Sequence, residues 1–132
     1  MTFQLQIVTP DGLIFEGEAV KLFCRTIAGD VCILARHCNY MTALGMGEAR
    51  VTLADGTVRR AACIGGMLAV TGGRARLVAT TWEWAEEIDK ARAEASRQRA
   101  ETVLAQKGAD ARELELAQAR LRRALVRSSV AR

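Results

Sequence analysis

The residue types best suited to chemistry in this sequence are thiols and one imidazole. They are Cys24, Cys32, Cys38, Cys63 and His37. Structural zinc sites usually draw their ligands in close pairs such as C-x2-C, and the sequence holds neither such a pair nor a second histidine. His37 also lacks the serine, cysteine or carboxylate pattern that accompanies a catalytic base. We therefore expect no metal site, and we expect His37 to fix a loop by hydrogen bonds.

The compartment follows from the N-terminus. Met1-Thr2-Phe3-Gln4 lacks the basic start and apolar centre of an export signal, so we expect a cytoplasmic chain with reduced thiols. Free cysteines behave as small apolar residues, and we expect all four to be buried or half-buried. No apolar run approaches the roughly 18 residues that a membrane span needs.

Arginines near the C-terminus form a second candidate site. After the last acidic residue, Glu115, the sequence carries Arg120, Arg122, Arg123, Arg127 and Arg132. Guanidinium groups pair well with carboxylates and phosphates, so this cluster suits an acidic protein surface or a phosphate. The net charge of +4 is mild and both signs occur in both halves, which argues against a nucleic-acid protein.

The first part of the chain alternates with the period of β-strands. Phe3, Leu5 and Ile7 are separated by glutamines, and Asp55-Gly56 is a strong hairpin signal between two further alternating runs. Short strands separated by turns, with no intervening helices, are typical of a sandwich or flattened barrel. We assign residues 1–81 to this domain.

The second part is rich in Ala, Glu, Arg and Leu at helical spacing. Thr80 with Glu83 has the form of a capping box, Gly108 is a helix stop, and Asp110 is the next cap. We assign residues 82–132 to an antiparallel two-helix hairpin, so the predicted fold is α+β. The expected packing stripes are Ile88, Ala91, Ala95, Thr102 and Val103 on the first helix, and Leu114, Ala117, Leu121 and Leu125 on the second. A weakly buried hairpin of this kind opens at small cost.

With these elements in place, the sequence resembles the epsilon subunit family of F-type ATP synthases, called delta in mitochondria. The resemblance covers essentially the whole chain. It is carried by residues 8–12 with Phe15 and Gly17, the 29–37 loop, Leu44 with Gly47, the 64–70 strand and the 85–89 run. Departures from the family pattern are Cys32 in place of Gly, Ala35 and Asn39 in place of Pro, and Met67 in place of Phe. A cysteine is tolerable at position 32 only if that residue does not need positive φ.

The resemblance implies a non-catalytic central-stalk subunit that couples rotation to the catalytic head. The sandwich then packs on the gamma subunit and the ring of c subunits through a loop containing Gly29, Asp30, Leu34 and His37. The hairpin extends to the alpha/beta head and inhibits ATP hydrolysis through Arg120, Arg122, Arg123 and Arg127. The expected location is peripheral, at the cytoplasmic face of the cell membrane. We expect the isolated chain to be a soluble monomer.

The run Ile88-Asp89-Lys90-Ala91-Arg92-Ala93 is similar to the I-D-x-x-R-A pattern by which some bacterial members of the family bind ATP. At i, i+3 and i+4, Asp89, Arg92 and Ala93 would share one helix face. Ala93 leaves room for a base, Asp89 can accept from an exocyclic amine, and Arg92 can bind phosphate. Further contacts implied by the resemblance are Arg99, Arg123 and Arg127, with assistance from Glu83. ATP is thus the only ligand expected, as a regulator.

Other interpretations remain open at this point. In the simplest interpretation, Asp89 and Arg92 form an ordinary surface ion pair worth about 0.3 kcal/mol. In another, the chain is a basic adaptor that presents its hairpin to nucleic acid or acidic protein, although the hairpin's many acidic residues disfavour nucleic acid. A third is a small Cys/His metalloenzyme, for which purified protein would contain zinc.

Overall fold

The structure is a computed structural model that describes residues 1–106, 108 and 110–131. The chain divides into two compact units, Met1–Trp84 and Ala85–Arg132. Arg132, part of the expected basic tail, lies outside the described residues.

The first unit is built from seven strands: β1 (Phe3–Thr9), β2 (Gly12–Thr26), β3 (Gly29–Leu34), β4 (Tyr40–Ala43), β5 (Met46–Leu53), β6 (Val58–Thr71) and β7 (Arg74–Trp84). They pair in the order β1-β7-β6-β5-β2-β3, with β4 on β6 and a further pairing of β1 with β2. Only β1 and β7 run parallel among these pairs.

The long strands fold this sheet into two layers. The first part of β2 pairs with β1, and its second part pairs with β3 and β5. Likewise β6 pairs with β5 before Gly65 and with β4 after it. One layer is therefore β2-β1-β7-β6-β4, which we call the first layer, and the result is the flattened barrel predicted from the sequence.

Alternation with period two buries one side of each strand. Leu5, Ile7, Leu22, Leu68 and Leu77 are among the largest fully buried side chains. Burying each such side chain stabilises the fold by about 1.5–3 kcal/mol. The first unit is thus stabilised by a conventional apolar core.

The glycine pair within β6 marks a close approach rather than a break between strands. Gly66 has φ +121, and a Cβ there would lie 2.0 Å from the Val78 carbonyl oxygen. Residues on both sides of this pair belong to one continuous strand. The separate strand expected at 67–70 is therefore the second part of β6.

The expected helix start at Thr80 is wrong. β7 continues through Trp84, and both Trp82 and Trp84 are buried. Buried positions are odd through Ala79 and even from Trp82 onwards, although the pairing of β7 with β6 keeps one register along its whole length. The change occurs opposite Gly65 and Gly66, which both have positive φ. Because of this change, alternation alone does not predict that the strand includes its last residues. The two units divide after Trp84 rather than after residue 81.

The second unit starts with a short 3-10 turn, Ala85–Glu87, followed by helices α1 (Lys90–Ala105) and α2 (Ala111–Val130), which pack against each other. Asp89 and Asp110 are the N-caps, each accepting a hydrogen bond from the backbone N–H three residues later, at 3.0 and 2.8 Å. The α+β fold with a helical hairpin is confirmed. No helix in the described residues is long and apolar enough to cross a membrane.

The predicted stripe on α1 is wrong. Ala91, Ala95 and Thr102 are exposed, whereas Ala93 and Ala100 are buried. Alanines occur on several sides of this helix, so their positions alone do not define its packing face. On α2, Ala117 is buried as expected, but Leu125 is 46% exposed.

Candidate functional site

A basic groove lies in the helical hairpin. Its volume is about 590 Å³, and it is lined by Ser96, Arg99, Ala100, Thr102, Val103, Ala117, Arg120, Arg123 and Arg127. We call this set of residues the arginine groove. Small side chains on both helices leave the space, and four guanidinium groups surround it.

The electrostatics of the arginine groove favour an anion. Among the described residues that line it there is no carboxylate. The nearby acidic residues of α1 are engaged elsewhere, because Glu94 and Glu101 both pair with Arg97. Like charges held in one groove repel each other, and a bound polyanion would relieve that repulsion. Guanidinium groups also bind phosphate and carboxylate in a bidentate manner.

The helices place these arginines by simple spacing. Arg120, Arg123 and Arg127 stand three and four residues apart on α2, so they project from one face. Arg123 and Arg127 are half-buried, whereas Arg99 and Arg120 are exposed. Burial of their stems holds the charged ends of Arg123 and Arg127 in fewer conformations.

The start of α1 is arranged differently from the expected shared face. Asp89 precedes the helix as its N-cap, and its Oδ1 accepts from the Arg92 backbone N–H at 3.0 Å. Arg92 is exposed, and Ala93 is buried. Within the described residues Asp89 and Arg92 form no ion pair, so the simple surface-pair interpretation is wrong.

The structure therefore gathers part of the expected ATP site. Arg99, Arg123 and Arg127 line one groove. Ile88, Asp89, Arg92 and Ala93 lie at or before the first turn of α1 and do not line it. Glu83 lies on β7, in the first unit.

The arginine groove also contains three of the four arginines that are expected to inhibit ATP hydrolysis. Arg120 lines it together with Arg123 and Arg127, whereas Arg122 is exposed and does not. Sequence reasoning missed Ser96 altogether and named Val103 only as a packing residue, not as part of a site. Ser96 and Val103 follow the buried Ala93 by three and ten residues, so they lie on the same side of α1. This helical spacing was the signal that could have identified them.

The expected docking loop is mostly a strand: Gly29, Asp30 and Leu34 lie on β3, and His37 lies in the connection between β3 and β4. Gly29 has φ +124, Asp30 pairs with Arg25 at 3.0 Å, and Leu34 is 52% exposed. The His37 backbone N–H donates to the Leu34 carbonyl at 3.2 Å. His37 Nδ1 lies 2.7 Å from the Cys38 carbonyl oxygen. His37 thus fixes its loop as expected.

The departures in this loop are accommodated by the backbone. Cys32 lies in the extended strand β3, opposite Phe23, and in the described residues only Arg36 combines a side chain with positive φ. Asn39 Oδ1 accepts from the Gly72 N–H at 3.0 Å and so ties the loop to the β6–β7 turn. The condition placed on position 32 is met.

The four cysteines fall into two classes. Cys24 and Cys63 are buried, and burial raises the pKa of each thiol to about 12. Cys32 and Cys38 are exposed, so the expectation that all four are buried or half-buried is wrong for these two. Edge strands and loops expose small residues that alternation alone does not place. Among the described residues, no three His, Cys, Asp or Glu side chains are grouped as a metal site requires.

Comparison with protein families matches both units. A family model described as ATP synthase, Delta/Epsilon chain, beta-sandwich domain, matches residues 2–85, and one described as the long alpha-helix domain matches residues 86–132. The chain is similar to the ATP synthase epsilon chain of Ruminococcus albus, at 40% identity over 131 residues, covering 98% of this chain and 96% of the relative. It is also similar to that of Shouchella clausii, at 33% identity, covering 99% and 96%.

Two solved structures share the fold. One is a chain of the Euglena gracilis mitochondrial ATP synthase (OSCP/F1/c-ring), with TM-score 0.82, 20% identity, and coverage of 92% of this chain and 76% of that one. The other is a chain of the Tetrahymena thermophila mitochondrial ATP synthase (central stalk and c-ring), with TM-score 0.66, 12% identity, and coverage of 98% and 96%. At these identities the likeness concerns the fold alone.

Proposed function

Because the chain belongs to the ATP synthase delta/epsilon chain family, whose members are non-catalytic stalk subunits of the rotary enzyme, we propose that its helical hairpin regulates that enzyme by sensing ATP. The observation that carries this proposal is the arginine groove. ATP presents a chain of anionic phosphates, and the groove presents four guanidinium groups.

The phosphates occupy the arginine groove in this proposal. Arg99, Arg123 and Arg127 contact them, and Arg120 adds charge from the next turn of α2. Ligands bridging both helices stabilise the closed hairpin, since the bound anion links α1 to α2. Arg92, which is exposed, contacts the nucleotide beyond the groove, and Ala93 is buried beside it in the first turn of α1.

Asp89 has a different part from the one first expected. Its carboxylate accepts from the backbone N–H of Arg92, so one oxygen is already engaged. In this proposal Asp89 acts chiefly by fixing the first turn of α1, which positions Arg92 and Ala93. Ile88 keeps the assisting part that the resemblance implies.

Loss of ATP frees the same arginines for a second partner. When the hairpin opens, Arg120, Arg122, Arg123 and Arg127 bind carboxylates of the catalytic head and inhibit ATP hydrolysis. The groove is an anion site in either state, because phosphates and carboxylates are recognised by the same guanidinium geometry. The affinity of ATP for the closed hairpin thereby sets the degree of inhibition.

The sandwich unit supplies the anchor. We assign its contacts with the gamma subunit and c ring to strand β3 and the connection that follows it, which contain Gly29, Asp30, Leu34 and His37. Leu34 offers an exposed apolar side chain there. The assembled subunit then lies at the cytoplasmic face of the membrane, and the isolated chain is a monomer that does not bind nucleic acid. Co-expression with gamma tests this: the Leu34→Asp chain should co-purify with less gamma than the unaltered chain.

Titration calorimetry of the full chain with ATP and with ADP tests the nucleotide proposal. ATP should bind, and Arg99→Ala or Arg123→Ala should weaken binding roughly 10-fold or more, because each removes a charge-assisted hydrogen bond worth about 1.5–3 kcal/mol. Arg122→Ala is the matched control, since Arg122 lies on the same helix outside the groove. Equal losses in Arg122→Ala and Arg123→Ala, or no binding by the unaltered chain, would contradict the site.

A further inference from the structure

The outer face of the first layer carries a row of apolar side chains. Pairing brings Leu13 opposite Val8, Val8 opposite Val78, Val78 opposite Met67, and Met67 opposite Ala43. We call these residues the apolar row. Leu13, Met67 and Val78 are 56, 44 and 40% exposed. The row crosses five strands, so it is about 19 Å long at the usual strand spacing.

A second row of side chains runs beside it. Its members in strand order are Glu16, Gln6, Arg76, Ala69 and Met41, again paired strand to strand. We call these residues the charged row. Glu16 and Arg76 are two strands apart, about 10 Å, with Gln6 between them. A shallow depression of about 620 Å³ lies over Glu16, Gln6, Arg76 and their neighbours.

Neither charge in this row is neutralised within the described residues. Glu16 and Arg76 are exposed and form no ion pair there. The face therefore combines exposed apolar area with an acid on β2 and a base on β7, and the next paired row repeats this order with Glu18 and Arg74 on either side of Gln4. A contiguous exposed apolar surface beside ordered charges is typical of a protein-binding site.

We propose that this face binds an amphipathic helix of a partner protein, lying across the strands with its apolar side on the apolar row. The dimensions agree, because a row of about 19 Å accommodates a helix of about 13 residues at 1.5 Å per residue. A basic residue on one flank then meets Glu16, and an acidic residue seven positions away, about 10 Å along the axis, meets Arg76. The proposal is independent of ATP binding by the hairpin.

The order of charges gives the site its specificity. Reversing the helix end for end would move its charged flank to the other side of the apolar row. A helix with its two charges exchanged therefore places like charges against Glu16 and Arg76 when it binds in the first direction. When it binds in the reverse direction, its charged flank no longer reaches either residue. The face should thus distinguish two peptides of identical composition.

Fluorescence anisotropy with two synthetic peptides tests this on the full chain. Each peptide has about 14 residues, with leucines at i, i+4, i+7 and i+11. The first peptide carries a lysine on one flank and a glutamate seven residues later on the same flank. The second peptide has the lysine and the glutamate exchanged. We expect one peptide to bind about five- to ten-fold more tightly at low salt, and the double variant Glu16→Lys/Arg76→Glu to reverse the preference.

Matched variants on β6 test the apolar row. Met67→Asp should weaken both peptides at least ten-fold, while Val58→Asp, at an exposed apolar position of the same strand outside both rows, should leave both unchanged. Equal binding of the two peptides, no binding, or equal losses in both variants would overturn the proposal. So would sedimentation showing a dimer that Arg76→Glu dissociates, because the occupant would then be a second copy of this chain.

Discussion

The sandwich and the hairpin bury different kinds of side chain. The sandwich fully buries Leu5, Ile7, Leu22, Leu68 and Leu77, among others. The buried residues of the two helices are four alanines and a valine: Ala93, Ala100, Ala117, Ala124 and Val130. A buried leucine stabilises a fold by about 1.5–3 kcal/mol, whereas an alanine methyl contributes only about 0.8 kcal/mol. The two units must therefore differ in stability.

That difference fits the tasks that we propose for the two regions. A unit that anchors a rotating assembly has to keep its shape, and the apolar core of the sandwich provides this. A unit that changes between two conformations needs a small free-energy gap between them. Packing through alanines allows close approach of the helices while leaving that gap small. In the proposed function, an anion bound in the arginine groove shifts that equilibrium towards the closed hairpin.

Truncation provides the largest test of this division. Residues 1–84 should fold and unfold cooperatively, because the core of the sandwich is complete at Trp84. Residues 1–81 should be unfolded or nearly so, since Trp82 and Trp84 are lost and each buried tryptophan contributes about 3–5 kcal/mol. Circular dichroism during thermal unfolding measures both. Equal stability of the two fragments would place the boundary where the sequence first suggested.

The rate of ATP hydrolysis by the assembled enzyme also tests the division between the sandwich and the hairpin. In the assembled enzyme, the chain truncated after residue 84 should increase ATP hydrolysis and leave coupling largely intact. Lower hydrolysis with the truncated chain would contradict the inhibitory part of the hairpin.

Thiol labelling measures how each region opens. With a pKa of about 12, the Cys63 thiol at pH 8 is thiolate at roughly one-thousandth of the ordinary fraction. Two thiols, Cys32 and Cys38, should therefore react in the native protein, and all four in urea. A cysteine placed at buried Ala117 in the hairpin should react at least 100-fold faster than Cys63, because the hairpin opens locally. Similar rates for the two would remove the proposed difference.

A pair of leucine substitutions compares the regions directly. Leu77→Ala should lower the free energy of unfolding by about 2–5 kcal/mol, because Leu77 is 0% exposed in the core. Leu125→Ala should change it by less than about 0.5 kcal/mol, since Leu125 is 46% exposed on a helix. Urea unfolding of both variants gives the comparison. A large loss in Leu125→Ala would mean that the hairpin also depends on buried leucines, and that the two regions do not differ in this way.

The sandwich was largely predictable because period-two alternation and turn residues act locally. Asp55-Gly56 forms the expected hairpin turn, with Gly56 at φ +87 and the Thr57 N–H bonded to Asp55 Oδ1. The end of β7 was not predictable, because the buried positions change from odd to even between Ala79 and Trp82. That change occurs opposite Gly65 and Gly66 of β6, whose positive φ values are not visible in the local pattern of β7.

The site was predictable in part for a related reason. Arg123 and Arg127 share a face through spacing alone, and α2 has leucines that orient it. On α1, alanines at positions 91, 93, 95, 100 and 105 leave the packing face undefined from sequence. The role of Asp89 as the N-cap of α1 was missed because a capping carboxylate and a ligand-binding carboxylate have the same sequence signature.

The smallest effect concerns Asp89 and decides between those two parts. Asp89→Ala removes the bond to the Arg92 N–H and should destabilise the first turn of α1 by about 1 kcal/mol, seen as roughly five-fold faster hydrogen exchange there. Asp89→Asn keeps an acceptor oxygen and should exchange like the unaltered chain. Asp110→Ala should produce the same effect at α2 alone. If Asp89→Asn keeps the cap but still loses ATP binding, the carboxylate contacts the nucleotide itself; if it binds ATP normally, Asp89 acts through the helix it begins.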